Sequence, residues 1–405
     1  MIFNKYGLKT KRYWCLQSHE HIDSFEETAE KLKILLKDSI ERQLVSDVPI
    51  CTFLSGGLDS SIISTFAAKY YKEKNIRTLD TYSIDYVDND KNFVKSDFQP
   101  NSDNYYIELM SKYLGTNHHN IVIDTPALTD ALDDATFARD LPGMADVDSS
   151  LLLFCKEVKQ NATVTLSGEC ADEIFGGYPW FYREDALSSD TFPWSLAISE
   201  RQNILNSNIK DKINLKEYVD YRYNQSLNEA PLLDGESKEE ENVRKMFYLN
   251  INWFMQTLLD RKDRMSMYNG FEARVPFCDH RLIEYVWNIP WSMKNYKGRE
   301  KGLLRYAVKD ILPQEIVERK KSPYPKTHNP NYLAAIKSKL SNVINDSNSP
   351  ILDLIDKDIV LEIINTNGKS FGRPWFGQLM TGPQLMAYLY QVNLWLENYK
   401  IKIDI

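Results

Sequence analysis

A buried strand that runs through a polar, glycine-containing loop into a helix constrains the fold of this chain more than any other feature. The strand, the loop and the helix read VPICTFL (48–54), SGGLDSS (55–61) and SSIISTFAAKYYKEK (60–74). At such a junction the first amides of the helix and the helix dipole favour an anion. The loop lacks the lysine that completes the common nucleoside-triphosphate loop. The junction therefore predicts an α/β protein whose loop binds phosphate without the lysine of the common nucleoside-triphosphate loop.

The rest of the first half alternates predicted helices with predicted strands. The helices are predicted at 24–45 (where Ser24 and Glu27 form a capping box), 105–115, 125–140 and 149–160, the strands at 76–86, 118–123 and 163–169, and a polar loop at 87–104. This alternation predicts a parallel sheet with helices on both faces. Because such sheets bind ligands beyond the carboxyl ends of their strands, the loops after Leu54, Ile84 and Leu166 are expected to form one site.

From about residue 180 the pattern changes to charged and aromatic helical segments, with a long helix predicted at 245–267. We therefore expect an α/β core over 24–180 and a mainly helical part over 181–405 that completes the site. Asp263, Arg264, Glu272 and Arg274 lie in apolar surroundings, and we predict that they form internal ion pairs, since a buried charge must be paired. The adjacent His118 and His119 alternate across a strand, which favours structural roles over a shared metal.

The composition narrows the class of protein. The 405 residues carry a net charge of −8, which disfavours a nucleic-acid partner. The five cysteines are odd in number and form no CxxC pair, which favours reduced thiols over disulfides or a zinc site. No apolar run is long enough to span a membrane, and the first residues lack the apolar region of a signal peptide. A cytoplasmic protein with no membrane contact is the expectation.

The loop residues suit phosphate chemistry. Gly56 and Gly57 permit close approach of the backbone. A carboxylate beside phosphate is repulsive, so Asp59 calls for a divalent cation that bridges it to phosphate oxygens. The simpler alternative is an ordinary glycine turn capped by serine. The loop also offers hydroxyl donors, which are Ser55, Ser60 and Ser61.

The glycine loop and four further blocks, in order along the chain, carry a resemblance to known families. SGGLDSS resembles the pyrophosphate loop of the N-type ATP pyrophosphatases. LSGECADEIFGGYPWF (166–181) resembles the second signature of the asparagine synthetase family, and further blocks at 263–287, 298–321 and 373–399 are similar to the same family. The resemblance covers about 13–400. It implies a fold of the adenine nucleotide α-hydrolase-like kind.

The resemblance also implies a two-step reaction with ATP and Mg²⁺. The side-chain carboxylate of aspartate attacks the α-phosphate and gives β-aspartyl-AMP and pyrophosphate, and ammonia then displaces AMP to form asparagine. By resemblance Asp59 and Asp172 bind the metal, Glu169 is a catalytic group that accepts a proton, and Lys301 is a catalytic cation at the phosphates. The simpler alternatives are a helix N-cap for Asp172, a loop contact for Glu169 and a solvated helix position for Lys301.

Two sets of residues complete the expected site. The set expected to bind ATP and pyrophosphate is Leu54, Ser55, Gly56, Gly57, Asp59, Ser60, Ser61, Ile84, Ser167 and Gly168, with Ser83 beside the adenine. The set expected to shape the substrate wall is Gly176, Gly177 and Tyr178.

The chain departs from the family at its start. Family members usually begin with a glutaminase domain, whereas residues 1–23, with Cys15, resemble the end of the interdomain linker. We therefore expect no glutamine hydrolysis, with ammonia supplied free or by a separate glutaminase subunit. A homodimer is a further expectation.

Three alternatives compete with this interpretation. β-Lactam synthetases and macrolactam cyclases also resemble the family, and they would act on another carboxylate. A tRNA-thiolating pyrophosphatase would need a basic face and catalytic cysteines, which the charge of −8 opposes. A non-catalytic relative should have lost Asp59, Glu169 or Lys301, and this chain has all three.

Overall fold

A computed structural model describes residues 1–92, 102–377 and 379–404. Its strands are β1 (Ile2–Asn4), β2 (Gly7–Lys9), β3 (Ile50–Phe53), β4 (Asp80–Tyr86), β5 (Asn117–Ile123), β6 (Val164–Leu166) and β7 (Glu272–Arg274). Within the described residues β1 and β2 form an antiparallel hairpin, and the other five form one parallel sheet in the order β5-β4-β3-β6-β7. The predicted α/β fold with a parallel sheet is confirmed.

The helices of the first half include each one predicted there. They are α1 (Phe25–Gln43), α2 (Leu58–Glu73), α3 (Asn89–Asn92), α4 (Asn104–Leu114), α5 (Thr125–Arg139), α6 (Asp146–Val158) and α7 (Ala171–Phe175). The predicted capping box at the start of α1 is present, with Ser24 and Glu27 bonded to each other's backbone. Much of the predicted loop at 87–104 lies outside the described residues, and its described part begins with α3.

The second half is mainly helical, as predicted. Its helices are α8 (Glu184–Leu187), α9 (Ile198–Asn203), α10 (Ser207–Lys210), α11 (Leu215–Glu229), α12 (Lys238–Leu249), α13 (Met255–Met267), α14 (His280–Asn288), α15 (Trp291–Lys294), α16 (Gly302–Val308), α17 (Gln314–Val317), α18 (Pro330–Asn345), α19 (Lys357–Asn365) and α20 (Gly382–Asn398). Between α12 and α13 the chain forms a π-helical turn at Asn250–Phe254, so the predicted long helix is one continuous rod with a bulge.

Both faces of the sheet are covered by helices. Ile50 of β3 packs into a core with α1 and α2, while the next residue, Cys51, packs on the opposite face with α5, α6 and α13. Successive side chains of a strand point to opposite faces, so one short apolar strand can anchor two layers. A further core joins α18, α19 and α20 to α5. The sheet is therefore fixed in position from both sides.

Strand β7 is an element of the parallel sheet that the sequence does not predict. It has only three residues, Glu-Ala-Arg, and pairs in parallel with β6 from Val164↔Glu272 to Leu166↔Arg274. A strand so short and charged carries no apolar alternation. Its presence means that the 181–405 part contributes an edge strand to the sheet.

The prediction of buried ion pairs was wrong for part of this region. Asp263 and Arg264 are exposed on α13, and Glu272 is exposed as well. The helical period instead buries Arg261, Lys262 and Met265. The helical period of α13 turns Asp263 and Arg264 towards solvent, although apolar residues flank them in the sequence.

The first 23 residues contact the rest of the chain. The backbone amide of His19 donates to Asn288 Oδ1 at 2.8 Å, and Trp287 Nε1 donates to Ser18 Oγ at 2.8 Å. Both contacts tie this segment to α14. Within the described residues, no helix combines the length and the apolar character needed to cross a bilayer.

Candidate active site

A cavity of about 280 Å³ opens where β3, β4 and β6 end. It lies between the sheet and the helical second half, and it contains side chains from both. The residues predicted for the site that line it are Leu54, Ser55, Gly57, Asp59, Ser60, Ser83, Ile84, Ser167, Gly168, Glu169, Asp172, Tyr178 and Lys301. The other predicted residues, Gly56, Ser61, Gly176 and Gly177, lie beside the cavity rather than on its lining. Most of the predicted set is thus brought together, and Lys301 joins the loop at 55–61 from more than 200 residues away in the sequence.

The predicted phosphate loop is a tight turn that leads into α2. Gly56 has φ +68°, and a Cβ on it would lie 2.5 Å from Tyr106 Cβ, so the turn requires glycine there. The backbone amide of Ser55 donates to Ser60 Oγ at 3.2 Å, and Ser60 Oγ donates to the Gly57 carbonyl at 3.2 Å. Ser61 is fully buried inside α2. The loop is therefore held in shape by its own side chains before any ligand arrives.

Two carboxylates and two ammonium groups form the charged centre of the cavity. Lys301 Nζ lies 2.6 Å from Asp59 Oδ2 and 2.6 Å from Asp172 Oδ1, and Lys321 Nζ lies 2.5 Å from Asp172 Oδ2. Lys301 is 3% exposed, so its ammonium depends on these carboxylates for its charge balance. The four side chains come from α2, α7 and the chain around α16 and α17.

The pKa values of this cluster follow from burial and from the lysines. Burial raises the pKa of Asp59, and the neighbouring Lys301 offsets only part of that effect. For Asp172 burial is outweighed by Lys301 and Lys321 together, so its pKa lies well below the usual range. Burial acts against the charge of Lys301, but Asp172 and Asp59 prevail and raise its pKa. A doubly charged carboxylate pair here requires cations close by.

The residues fit a phosphate-bound divalent ion better than a resident metal. Asp59 Oδ1 is buried and has no hydrogen-bond partner among the described residues, so one acceptor is left for a ligand. Within that same part of the chain, no group of three or more His, Cys, Asp or Glu side chains forms a metal-binding cluster. Mg²⁺ is commonly held by one or two carboxylates plus substrate phosphates. Asp59 and Asp172 would supply that pair.

Two glycines make room for the charged cluster. A Cβ on Gly177 would lie 1.8 Å from Asp172 Oδ1 and 2.5 Å from Lys301 Cε. A Cβ on Gly168 would lie 3.1 Å from Asp59 Cβ. Gly176, at φ +70°, instead faces the ring of Trp291. Gly177 does not line the cavity, but its lack of a side chain leaves the space in which Asp172 and Lys301 form their ion pair.

Glu169 forms the second charged pair of the cavity. Its Oε1 lies 2.7 Å from Lys262 Nζ, and its Oε2 is buried with no hydrogen-bond partner in the described chain. Burial would raise the pKa of Glu169, but Lys262 and a hydrogen bond from Ser167 outweigh it and lower the pKa. Glu169 is thus held as a carboxylate with unused acceptor capacity.

Several cations of the cavity were not predicted from the sequence. Arg319 Nη1 donates to the Ser55 carbonyl at 3.1 Å, and its other nitrogen pairs with Asp103. Lys321 and Lys262 are paired as described above. The basic run ERKK at 318–321 is the one signal that pointed to Arg319 and Lys321. Lys262 had no such signal, because a single lysine in a helical stretch is ordinarily solvent-exposed.

The remaining predicted residues have structural contacts. Tyr178 donates its hydroxyl to Glu173 Oε1 at 2.6 Å and stacks near Trp180. Ser83 Oγ lies 2.9 Å from His118 Nε2, and His119 Nε2 lies 3.1 Å from Asp80 Oδ1. The two histidines therefore face different partners, in agreement with their expected alternation.

The arrangement is that of an α/β protein with a glycine-containing loop at the carboxyl edge of a parallel sheet. The profile of the asparagine synthase family matches residues 31–397, and the chain belongs to that family. It is 53% identical over 404 residues to "Asparagine synthetase [glutamine-hydrolyzing] 3" of Bacillus subtilis, an alignment that covers 100% of this chain and 66% of that protein.

More distant relatives cover less of their own length. "Asparagine synthetase [glutamine-hydrolyzing] 1" of Bacillus subtilis is 28% identical, over 84% of this chain and 56% of that protein. "Amidase chyE" of Penicillium rubens is 27% identical, over 87% of this chain and 61% of that protein. The chain thus spans between about half and two thirds of the length of these curated relatives.

Proposed function

We propose that the chain is an ATP-dependent ligase that forms a C–N bond and converts aspartate into asparagine through β-aspartyl-AMP, with release of AMP and pyrophosphate. One observation carries the proposal. The glycine loop, the Lys301 ammonium and the Glu169 carboxylate line a single cavity, although they lie far apart in the sequence. These are the three parts that adenylation followed by amide formation requires: a phosphate cradle, a cation and a proton acceptor.

In the first step the aspartate carboxylate oxygen bonds to the α-phosphorus, and the bond from that phosphorus to the β-phosphate oxygen breaks. The loop amides and α2 would hold the departing pyrophosphate. Lys301 and Lys321 would exchange their carboxylate partners for phosphate oxygens and stabilise the charge that builds up there. When bound on Asp59 and Asp172, Mg²⁺ supplies further positive charge at the phosphates.

In the second step ammonia bonds to the acyl carbon of the intermediate. The bond from that carbon to the phosphate oxygen breaks, and AMP leaves with the electron pair. The nitrogen must lose one proton to become an amide, and Glu169 would accept it. Burial acts to raise the pKa of Glu169, but Lys262 outweighs it and lowers the pKa, which favours the basic carboxylate form. The second step thus depends on a different ion pair from the first.

The direct test incubates the 405-residue chain with ATP, Mg²⁺, aspartate and ammonium chloride. We expect pyrophosphate and asparagine in equal amounts, measured by a coupled phosphate assay and by amino-acid chromatography. Lys301→Met should lower both by roughly 100-fold or more, because a preorganised cation at the phosphates is lost. Lys309→Met, a change at an exposed lysine that follows α16, is the matched control and should have little effect. Pyrophosphate release that does not depend on aspartate, or no release at all, would refute the assignment.

A second candidate is a ligase that acts on a larger carboxylate, as in the enzymes of the β-lactam and macrolactam type. The observation that favours it is the aromatic part of the cavity lining, which includes Tyr178, Trp180, Phe254 and Phe376. Such a surface suits a substrate with an apolar body. A panel of N-acylated amino acids and aryl carboxylates, assayed for ATP-dependent pyrophosphate release, separates the two: faster release than with aspartate would favour this candidate.

The source of ammonia, the oligomeric state and the location in the cell belong to the same proposal. We propose that ammonia reaches this chain free or from a separate glutaminase, that the protein works as a homodimer in the cytoplasm, and that its only substrates are small molecules. Size-exclusion chromatography with light scattering tests the dimer. Asparagine formation with glutamine in place of ammonium tests the nitrogen source.

A further inference from the structure

We propose that Lys262 is a positioning residue for the amide-forming step, which acts by fixing Glu169 in place as a carboxylate. The proposal rests on the function proposed above, in which Glu169 accepts a proton from the incoming nitrogen. It adds a residue to which neither the sequence pattern nor the family resemblance gave a role.

The geometry of Lys262 is that of a support for Glu169. Lys262 lies on α13 and is 3% exposed, and its Nζ lies 2.7 Å from Glu169 Oε1. The ring of Phe53, at the end of β3, has its centroid 5.0 Å from the same Nζ. The ammonium is thus fixed between the sheet and Glu169, with one carboxylate oxygen engaged and Oε2 left without a hydrogen-bond partner among the described residues.

The neighbouring cation, Arg261, makes its hydrogen bonds to other groups. Arg261 donates from Nε to Asp148 Oδ1 at 3.1 Å and from Nη2 to the Val147 carbonyl at 2.8 Å. Its guanidinium is therefore committed to α6, and across the described residues Lys262 is the cation at ion-pair distance from Glu169. Arg261, through its charge, and Ser167, through a hydrogen bond, also lower the pKa of Glu169. The other polar groups that interact with Glu169 are Cys155, Cys170 and Tyr324.

Fold stability alone does not account for this pair. A buried ion pair is often no more stabilising than apolar side chains of similar volume. The pair instead places a charged carboxylate on the wall of the reaction cavity, where its side chain is 16% exposed. Removing the lysine would leave a buried carboxylate that protonates or turns away, and the second step would then lack its acceptor.

The experiment separates the two chemical steps in Lys262→Met, Lys262→Gln and Lys262→Arg. A rapid-quench measurement records the burst of pyrophosphate with ATP, Mg²⁺ and aspartate, and steady-state assays record asparagine formed with ammonium. For K262M we expect a burst within about threefold of wild type but an asparagine rate lowered roughly 10- to 100-fold, since only proton transfer is impaired. K262R should recover much of the asparagine rate because it restores the cation.

Two comparisons exclude a merely structural effect. Lys294 is equally buried, at 2% exposed, and lies outside the cavity lining, so Lys294→Met is the matched control. It should leave the ratio of burst to asparagine rate unchanged. Glu169→Gln should reproduce the K262M phenotype, and the double variant should be no slower than the slower single variant, because the two residues act as one unit.

The outcomes are decisive in both directions. Equal loss of burst and asparagine rate in K262M, unchanged rates in K262M, or failure of both K262M and K262Q to fold would overturn the proposal, the last because it would assign the pair to stability. If the wild-type chain releases no pyrophosphate with aspartate, the proposed function fails instead. The two failures are thus distinguishable.

Discussion

At the scale of single residues, Gly177 decides whether the charged centre of the cavity can form. Its backbone leaves just enough space for Asp172 and Lys301 to meet, since an added Cβ would lie 1.8 Å from one and 2.5 Å from the other. We predict that Gly177→Ala lowers the rate of pyrophosphate release by about 100-fold or more, because a displacement of about 1 Å of these groups is that costly.

The control for this variant is Gly235→Ala. Gly235 has φ +82° and open space where a Cβ would lie, so alanine there strains the backbone without a clash. G235A should lose about 1 kcal/mol of stability and keep its activity. Equal activity of G177A and G235A, measured at a temperature where both are folded by circular dichroism, would contradict the role given to Gly177.

At this scale the sequence predicts candidate site residues only where several polar groups are grouped in one motif. SGGLDSS and LSGECADEIFGGY each place several polar groups at a strand end, so Asp59, Glu169 and Asp172 were found. Lys262 was not, because its partner lies about 90 residues away and a lysine next to Asp263 in a charged helix looks solvent-exposed. The two residues meet because α13 packs against α6 and β7, and β7 is paired with β6, the strand that precedes Glu169.

At the scale of elements, the start of α6 is joined to α20 through one buried carboxylate. Asp146 is 2% exposed and accepts from Gln384 Nε2 at 3.1 Å. Burial raises the pKa of Asp146 to about 6. Between the ordinary carboxyl pKa and this value the folded chain binds more protons than the unfolded chain, so the contribution of this group to stability falls as the pH rises through that window.

We therefore predict a pH-dependent gain for Asp146→Asn. Asparagine keeps an oxygen that can accept from Gln384 but carries no charge. The free energy of unfolding of the variant, relative to that of the wild type, should therefore increase by up to about 3 kcal/mol between about pH 4 and pH 7. Urea unfolding of both proteins at several pH values measures the difference in the free energy of unfolding. A difference that stays constant with pH, or that falls as the pH rises, would contradict the raised pKa.

Elements were predictable where length and periodicity reinforced each other. The capping box of α1, the apolar runs of β3 and β6, and Gly115 after α4 marked their elements in the sequence. Strand β7 carries no signal of its own, because three residues with two charges are stabilised by pairing with β6 rather than by burial. Such a strand forms only because the tertiary fold brings residues 272–274 beside β6.

At the scale of the whole molecule, both halves of the chain contribute strands to the sheet: β3 to β6 come from the first half and β7 from the second. The first half alone lacks β7 and α13. It also lacks aromatic residues of the second half that cover the sheet, including the fully buried Phe271 and Phe277. Without them β6 becomes an exposed edge, and one face of the sheet loses part of its cover. The glycine loop that follows β3 is then supported by an incomplete core.

We predict that a fragment of residues 1–188, cut in the turn after α8, does not fold cooperatively when expressed alone. It should bind a hydrophobic dye and show no sharp thermal transition, because its buried area falls below what a stable domain needs. Co-expression with residues 189–405 should restore a single transition, since every missing contact returns except one peptide bond. A sharp, reversible transition in the isolated fragment would instead show that the α/β core closes on itself, and that β7 is an addition to a finished sheet rather than a part of it.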